Sequence, residues 1–121
     1  MKPSLIILLA VILMSSACVQ KRVARTITFE VDTTGITNIT SLSVRGDDDP
    51  LSWDQNTPLS DQDGDGIYTG QVTFTTPYKY TTIKFVKNEN QFELAGQDNR
   101  IIPLADASAR TYRCRYDVMT E

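Results

Sequence analysis

The sequence predicts an all-β protein, an immunoglobulin-like antiparallel β-sandwich of about seven strands. Two observations lead to this prediction. Short runs in which apolar and polar residues alternate recur along the chain, and turns containing glycine or proline separate them at strand-length spacing. No segment of helical length shows the period of an α-helix. A chain of about 100 residues with this pattern can bury one core between two sheets, so a single domain is expected.

Three strands are predicted in the first part of the domain, each from the alternation of apolar and polar residues. Residues 26–31 alternate polar residues with Ile, Phe and Val, and residues 39–44 repeat the pattern. Residues 47–50 (DDDP) cannot continue a ladder, because three carboxylates repel one another and Pro50 has no N–H donor. The following strand starts after Gly66 and has apolar residues at alternate positions.

The remaining strands are predicted in the second half of the chain. Residues 80–87 alternate, residues 91–94 form a short aromatic and acidic strand, and residues 100–104 form another, with Pro103 near its end. The last run, residues 111–118, has the clearest alternation. Its predicted buried face consists of Tyr112, Cys114, Tyr116 and Val118.

The first 17 of the 121 residues have the features of a secretory leader. Lys2 supplies a positive charge, and residues 5–14 form an unbroken apolar run (LIILLAVILM). This run is shorter than the roughly 20 residues that an ordinary membrane span needs. Small residues then lead to Cys18. We therefore predict a signal peptide over residues 1–17.

The residues around Cys18 resemble the lipobox of bacterial lipoproteins, in which the cysteine becomes the lipidated first residue of the mature chain. Ser15 stands where that motif usually has Leu. The alternative is an ordinary signal peptide cut near Ala17. The resemblance implies a lipidated Cys18 with a tether over residues 18–25, and a membrane partner through the lipid anchor.

Residues 26–121 form the predicted sandwich domain. Removing Lys2 with the leader changes the net charge from −3 to −4. A mildly acidic domain lacks the basic patch that nucleic acid requires, so no nucleic-acid partner is expected. If Cys18 carries lipid, Cys114 is the one remaining thiol, and an intramolecular disulfide is excluded. Cys114 is predicted to be a small buried residue. No cofactor is expected.

Residues 84–100 (KFVKNENQFELAGQDNR) combine a lysine, an aromatic ring, a carboxylate and an amide near one end of the predicted sheet. Ring faces stack on sugars, and Lys, Glu and Asn side chains bind hydroxyl groups. Trp53, the only tryptophan, lies in a turn-rich segment and would offer a flat face for a pyranose ring. The alternative is a tryptophan that caps the core.

Three motifs occur in order between residues 27 and 104. They are VRG at 44–46 followed by LSWD at 51–54, TIKF at 82–85, and Phe92-Glu93 followed by Asn99-Arg100. They resemble the V-x-G and L-G-x-W-[DN] motifs, the lysine strand and the W-E-x-x-x-N-R motif of starch-binding modules of carbohydrate-binding family 20. That family is related to the glycogen-binding modules of family 48.

This resemblance implies a glucan-binding site at Trp53, Lys84, Phe92, Glu93 and Asn99. The two aromatic rings would stack on adjacent glucose rings, and Lys84 and Asn99 would bind hydroxyls of the same sugars. Glu93 would either accept a hydroxyl or pair with a cation. The chain departs from the family in having Phe92 in place of Trp and two extra residues before Asn99.

Residues 61–66 (DQDGDG) resemble the start of an EF-hand calcium loop. The loop's twelfth position should be a bidentate Glu, but it is Val72, and the flanking residues are predicted strands. Aspartate and glycine also suit ordinary polar turns. We therefore predict a polar turn, with a calcium site at Asp61, Asp63 and Asp65 as the alternative.

No enzymatic activity is expected. The chain has no histidine, which excludes a Ser–His or Cys–His nucleophile. A glycosidase needs two placed carboxylates in a deep site, and here the carboxylates cluster in loops. The expected function is non-catalytic binding of starch or a related α-glucan at the bacterial cell envelope, with a glycoside hydrolase as a candidate partner. The alternative is a structural or protein-interaction lipoprotein that has this fold without sugar binding.

Overall fold

The computed structural model describes residues 21–104 and 108–119, which form an all-β sandwich. The eight strands are β1 (Val23–Asp32), β2 (Leu42–Gly46), β3 (Thr57–Leu59), β4 (Ile67–Thr76), β5 (Tyr80–Lys87), β6 (Gln91–Phe92), β7 (Arg100–Pro103) and β8 (Ala109–Arg115). The predicted signal peptide and Cys18 lie outside the described residues. Within the described ranges, no helix has the length and apolar character needed to cross a membrane.

Two sheets make up the sandwich. One has three strands in the order β4-β1-β8, and the other has five, β3-β2-β5-β6 with β7 also paired to β5. The described pairs are antiparallel except β1 and β8, which run parallel. The β-sandwich was predicted, whereas the parallel β1–β8 pair within it was not. A parallel pair needs a long crossover, and here all five strands of the second sheet lie between β1 and β8 in sequence.

The core lies between the two sheets and follows the predicted alternation. Ile27, Phe29 and Val31 of β1 are fully buried, and the Phe29 ring meets the Phe85 ring of the other sheet edge-on at 5.7 Å between centroids. Cys114 is a free, partly buried cysteine that packs against this core. Burial of this apolar surface is the main favourable contribution to folding.

Among the strand boundaries that differ from the prediction, three lie where the backbone leaves the extended conformation. The strand β2 starts at Leu42, because residues 39–41 are in a loop. The strand β6 ends at Phe92, and Leu94 has a positive φ of 52°. The strand β8 ends at Arg115, and Asp117 has a φ of 65°. The chain therefore turns before Val118, which is 39% exposed and does not belong to the buried face.

The five-stranded sheet has one face on the core and a second face directed away from it, which we call the outer face. In β5, Thr81, Ile83 and Phe85 are buried against the core side. Side chains alternate along a strand, so the even-numbered residues of β5 belong to the outer face. Directly paired residues share a face, which adds residues of the neighbouring strands. The outer face therefore includes Ser43, Arg45, Tyr80, Thr82, Lys84, Val86, Phe92 and Ile101.

The chain enters the sandwich at one end of the sheets. Val23, the first residue of β1, is paired with Thr76, the last residue of β4, and Tyr80 begins β5 a few residues later. Arg22 and Tyr78 line the same small surface cavity, of about 200 Å³. The tether therefore joins the domain at the Tyr78 end, whereas Phe92 lies near the opposite end of β5.

Candidate functional site

Strand pairing places three side chains, Arg45, Lys84 and Phe92, on the outer face. Arg45 and Lys84 are direct partners in the β2–β5 pair, and Phe92 is paired with Val86, two residues after Lys84. The guanidinium carbon of Arg45 lies 5.2 Å from the centre of the Phe92 ring, which is within range for a cation–π contact. The Phe92 side chain is 40% exposed, so part of its surface is available to a ligand.

Arg45 also holds the loop that carries Trp53. Its Nη1 donates to the Trp53 carbonyl oxygen at 2.7 Å, and its Nε donates to Asn56 Oδ1 at 2.7 Å. Asn56 in turn donates to the Glu89 carbonyl oxygen at 2.9 Å. The indole Nε1 of Trp53 donates to Asp47 Oδ1 at 3.3 Å. Arg45 thus contacts both the backbone of Trp53 and the ring of Phe92.

The loop after β2 starts at a position that requires glycine. A Cβ on Gly46 would lie 2.8 Å from the Thr82 carbonyl oxygen and 2.9 Å from Leu51 Cδ1. The close approach lets Leu51 insert into the core, where it is 4% exposed. Trp53, two residues later, is partly buried and is not among the residues of the core cluster. It therefore lies between the two predicted alternatives, a fully exposed ring and a core cap.

Lys84 binds the loop that follows β6. Its Nζ donates to the carbonyl oxygens of Leu94 at 3.1 Å and Gln97 at 2.9 Å. The loop makes a turn closed by the Gln97 N–H and the Leu94 carbonyl oxygen, with Gly96 in the left-handed region. The two additional residues before Asn99 fall in this loop. An ammonium group has three N–H donors, so one remains for a ligand.

Glu93 lies on the opposite side of the chain from Phe92, in the core. Its carboxylate forms an ion pair with Arg100, at 2.6 Å from Oε2 to Nε, and both side chains are fully buried. Arg100 Nη2 also donates to Glu93 Oε1 at 2.7 Å, and the backbone N–H groups of Phe85 and Asp117 donate to the two carboxylate oxygens at 3.0 Å. Because the carboxylate has no exposed acceptor, we remove Glu93 from the candidate binding residues.

Arg100 uses this ion pair to join several parts of the fold. Its Nη2 donates to the carbonyl oxygens of Arg115 at 3.0 Å and Val118 at 2.9 Å, and its Nη1 donates to the Tyr112 hydroxyl at 3.3 Å. Burial by itself would lower the pKa of Arg100, but the hydrogen bonds and charge of Glu93 raise it overall, so the guanidinium stays charged. The Glu93–Arg100 pair is structural.

Asn99 is exposed and directly precedes Arg100, the first residue of β7. In the described part of the chain, no hydrogen bond joins Asn99 to Trp53, Lys84 or Phe92. The structure therefore places Lys84 and Phe92 on one face with Arg45, which also binds the backbone of Trp53, and Asn99 remains a candidate for which no contact with these residues is seen.

Arg45 and Asn56 were not predicted as site residues. A signal for Arg45 was present, because it stands between the apolar Val44 and Gly46 of an alternating strand and is therefore on the face away from the core. That it faces Lys84 depends on which strand β2 pairs with, and the alternation of a single strand carries no information about its partner.

The acidic loop brings three carboxylates together away from the outer face. Oxygen atoms of Asp61, Asp63 and Asp65 lie within 4.8 Å of one another, and Asp61 Oδ1 is buried without a hydrogen-bond partner. The contact with the Asp61 side chain raises the pKa of Asp63, and the N–H of Ile67 lowers the pKa of Asp65. The N–H of Gly66 donates to Asp61 Oδ2 at 3.0 Å. These backbone contacts are those of a polar turn.

A surface cavity of about 650 Å³ lies beside this acidic loop. Glu30, Asp63 and Asp65 line it, and no aromatic ring does. It therefore lacks the stacking surface that the predicted site requires. A second cavity, of about 510 Å³, lies at the Tyr78 end of the outer face and is described below.

No protein-family model matches the chain. No curated protein matches it significantly either.

Proposed function

We propose that this protein is a non-catalytic carbohydrate-binding protein that holds starch or a related α-glucan by aromatic stacking. The observation that supports this most directly is the contact of Arg45 with Phe92 on the outer face, with Lys84 beside it and the loop of Trp53 held by Arg45. The two aromatic side chains supply apolar surface for sugar rings, and Lys84 supplies a donor for a hydroxyl. Glu93 is not part of this site.

The chemistry of the group suits a neutral sugar. Arg45 is held by a carbonyl oxygen, an amide oxygen and a ring, and Lys84 is held by two carbonyl oxygens. The acidic side chain of Asp47 bonds the indole N–H at the edge of the group. We expect a binding site on a sheet face to be shallow, so water competes for each hydroxyl and the affinity of one domain should be weak. A partner glycoside hydrolase or further copies would supply avidity.

The proposed location is the bacterial cell envelope, with the domain anchored in a membrane by a lipid on Cys18. The support is the leader and lipobox-like sequence before Cys18. Labelling of expressing cells with a radioactive or clickable fatty acid tests the anchor. The full chain is expected to take up the label and a Cys18→Ala variant is not, and equal labelling of both would contradict the anchor.

Retardation in native gels containing soluble starch tests the proposed function. We expect the protein to be retarded, and both Trp53→Ala and Phe92→Ala to lose most of the retardation, because each removes one stacking surface. Ile67→Ala is the matched control, since Ile67 is an exposed apolar residue of the other sheet. Its retardation should equal that of the wild type.

Two other outcomes of this experiment carry information. Retardation that survives both aromatic substitutions would place a glucan site elsewhere on the sandwich. A folded wild-type protein that is not retarded at all would contradict α-glucan binding, and the structural or protein-interaction lipoprotein would then be the working hypothesis.

A further inference from the structure

A second group of exposed aromatic residues lies on the same side of the sandwich as Trp53. The cavity of about 510 Å³ is lined by the tyrosines Tyr78 and Tyr80, which are 61% and 60% exposed, and by Asp47, Asp48 and Thr82, among others. Tyr80 is the first outer-face residue of β5, and Tyr78 lies in the turn before that strand. Two large rings are thus presented to solvent around one concave surface.

Asp47 connects this cavity to Trp53. Its carboxylate accepts the indole N–H of Trp53 at 3.3 Å, and its backbone N–H donates to the Thr82 carbonyl oxygen at 3.0 Å. Thr82 lies between Tyr80 and Lys84 on the outer face of β5. The wall of the cavity therefore adjoins the edge of the group formed by Trp53, Arg45, Lys84 and Phe92.

The two ends of this surface are too far apart for a small sugar. Phe92 is paired with Val86, and Tyr80 lies six residues before Val86 on the same strand. A strand rises about 3.3 Å per residue, so the backbone positions that carry the two rings are separated by about 20 Å along β5. A disaccharide that stacks on Trp53 and Phe92 cannot also reach Tyr80, whereas a longer oligosaccharide can.

We propose that the binding site continues past Trp53 into the Tyr78–Tyr80 cavity and that its ligand is an extended α-glucan chain of several sugars. This inference rests on the proposed function and specifies its ligand. Tyr80 and Tyr78 form the far stacking surface, and the carboxylates of Asp47 and Asp48 accept hydroxyl hydrogens beside it.

The charges around the cavity favour a neutral ligand. Two carboxylates, Asp47 and Asp48, line it together with a single ammonium group, that of Lys79. Two negative charges against one positive charge repel a polyanion such as a nucleic acid or a polyuronate. Hydroxyl groups bind carboxylates as well as ammonium groups, so a neutral polyol matches this lining.

Comparison of two ligands tests the extension. Maltose and maltoheptaose are titrated into purified wild-type protein, a Tyr78→Ala/Tyr80→Ala variant and the Ile67→Ala control, with Trp53 fluorescence and calorimetry as readouts. The wild type and the control should each bind maltoheptaose at least tenfold more tightly than maltose. The double variant should lose about tenfold in affinity for maltoheptaose, because two stacking contacts are removed, and keep its affinity for maltose. A Tyr78→Phe/Tyr80→Phe variant retains the rings and should behave as the wild type.

The outcomes separate this inference from the proposed function. Maltose binding that depends on Trp53, with an equal preference for maltoheptaose in the wild type and the double alanine variant, would overturn the extension and leave the proposed function intact. If the double alanine variant loses affinity for maltose by the same factor as for maltoheptaose, the tyrosines belong to the same subsite as Trp53. That result would also overturn the extension. A wild-type protein that binds neither sugar would contradict both. Both tyrosines are exposed, so the thermal unfolding of the variants should match that of the wild type.

Discussion

The two sides of the five-stranded sheet satisfy their charged residues in different ways. On the core side, Glu93 and Arg100 are fully buried and form an ion pair, to which backbone N–H and carbonyl groups add hydrogen bonds. On the outer face, Arg45 and Lys84 are held by carbonyl oxygens, an amide oxygen and an aromatic ring, and neither forms an ion pair within the described residues. The change from one side to the other occurs between consecutive residues, since Phe92 belongs to the outer face and Glu93 to the core. A buried charge needs an opposite charge, whereas a partly exposed one can be positioned by neutral groups and keep its attraction for a ligand.

The largest effect is expected on the core side. Glu93→Ala leaves the guanidinium of Arg100 buried without its partner, and we expect a loss of about 3–5 kcal/mol in the free energy of unfolding. Urea-induced unfolding measures it. A loss below about 1 kcal/mol, the level of an exposed ion pair, would remove the contrast between the two sides. The exposed pair of Arg113 and Glu30 supplies the control, since Glu30→Ala should cost little.

On the outer face, Phe92→Trp should change binding and leave stability nearly unaffected. The larger ring increases the stacking surface, so we expect up to a tenfold gain in affinity for maltoheptaose, a difference of about 1.4 kcal/mol. The free energy of unfolding should stay within about 0.5 kcal/mol of the wild type, because the side chain is 40% exposed. Calorimetric titration and urea unfolding of the same preparation measure both quantities. Unchanged affinity would show that Phe92 does not contact the sugar.

A smaller effect is expected for Arg45→Ala, because the residue acts on the position of Trp53. The loss in unfolding free energy should be about 1 kcal/mol, since the partners of the guanidinium are partly exposed. Trp53 is the only tryptophan, so its emission spectrum and its quenching by acrylamide report on this position directly. Both should change in Arg45→Ala and change less in Arg45→Lys. Unaltered fluorescence in both variants would show that Arg45 does not position Trp53.

The last prediction concerns Cys114 and the pH dependence of stability. Burial raises the pKa of the Cys114 thiol from its ordinary 9.0 to about 11, although the positive charge of Arg100 opposes this. The folded state holds the thiol proton more tightly than the unfolded state does. The resulting contribution of Cys114 to stability is therefore complete below pH 9 and is lost as the pH rises towards 11. The melting temperature should therefore fall over this range less steeply in Cys114→Ala than in the wild type. Identical slopes would contradict the raised pKa.

The sandwich was predictable because alternation with a period of two is a local property of each strand, and it places Ile27, Phe29 and Val31 correctly without knowledge of any partner. The strand β3 was missed because three residues, one of them Pro58, are too few to show a period. The fate of Glu93 was open at the level of sequence, because it depends on the register that places Arg100 opposite Ile83. The same limit applies to Arg45, whose partners come from β5, β6 and a loop.

The place where the chain enters the sandwich determines which end of an anchored domain would lie near the membrane. Lys21 follows Cys18 by three residues, and an extended chain spans at most about 3.6 Å per residue, so a lipid on Cys18 would hold that end within about 11 Å of the surface. Arg22 and Tyr78 mark this end, whereas Phe92 lies towards the other. An α-glucan that approaches from the side away from the membrane would contact Phe92 first. It would have to extend along the domain towards the membrane to reach Tyr78 and Tyr80. The tether would then determine the direction in which the glucan chain is bound.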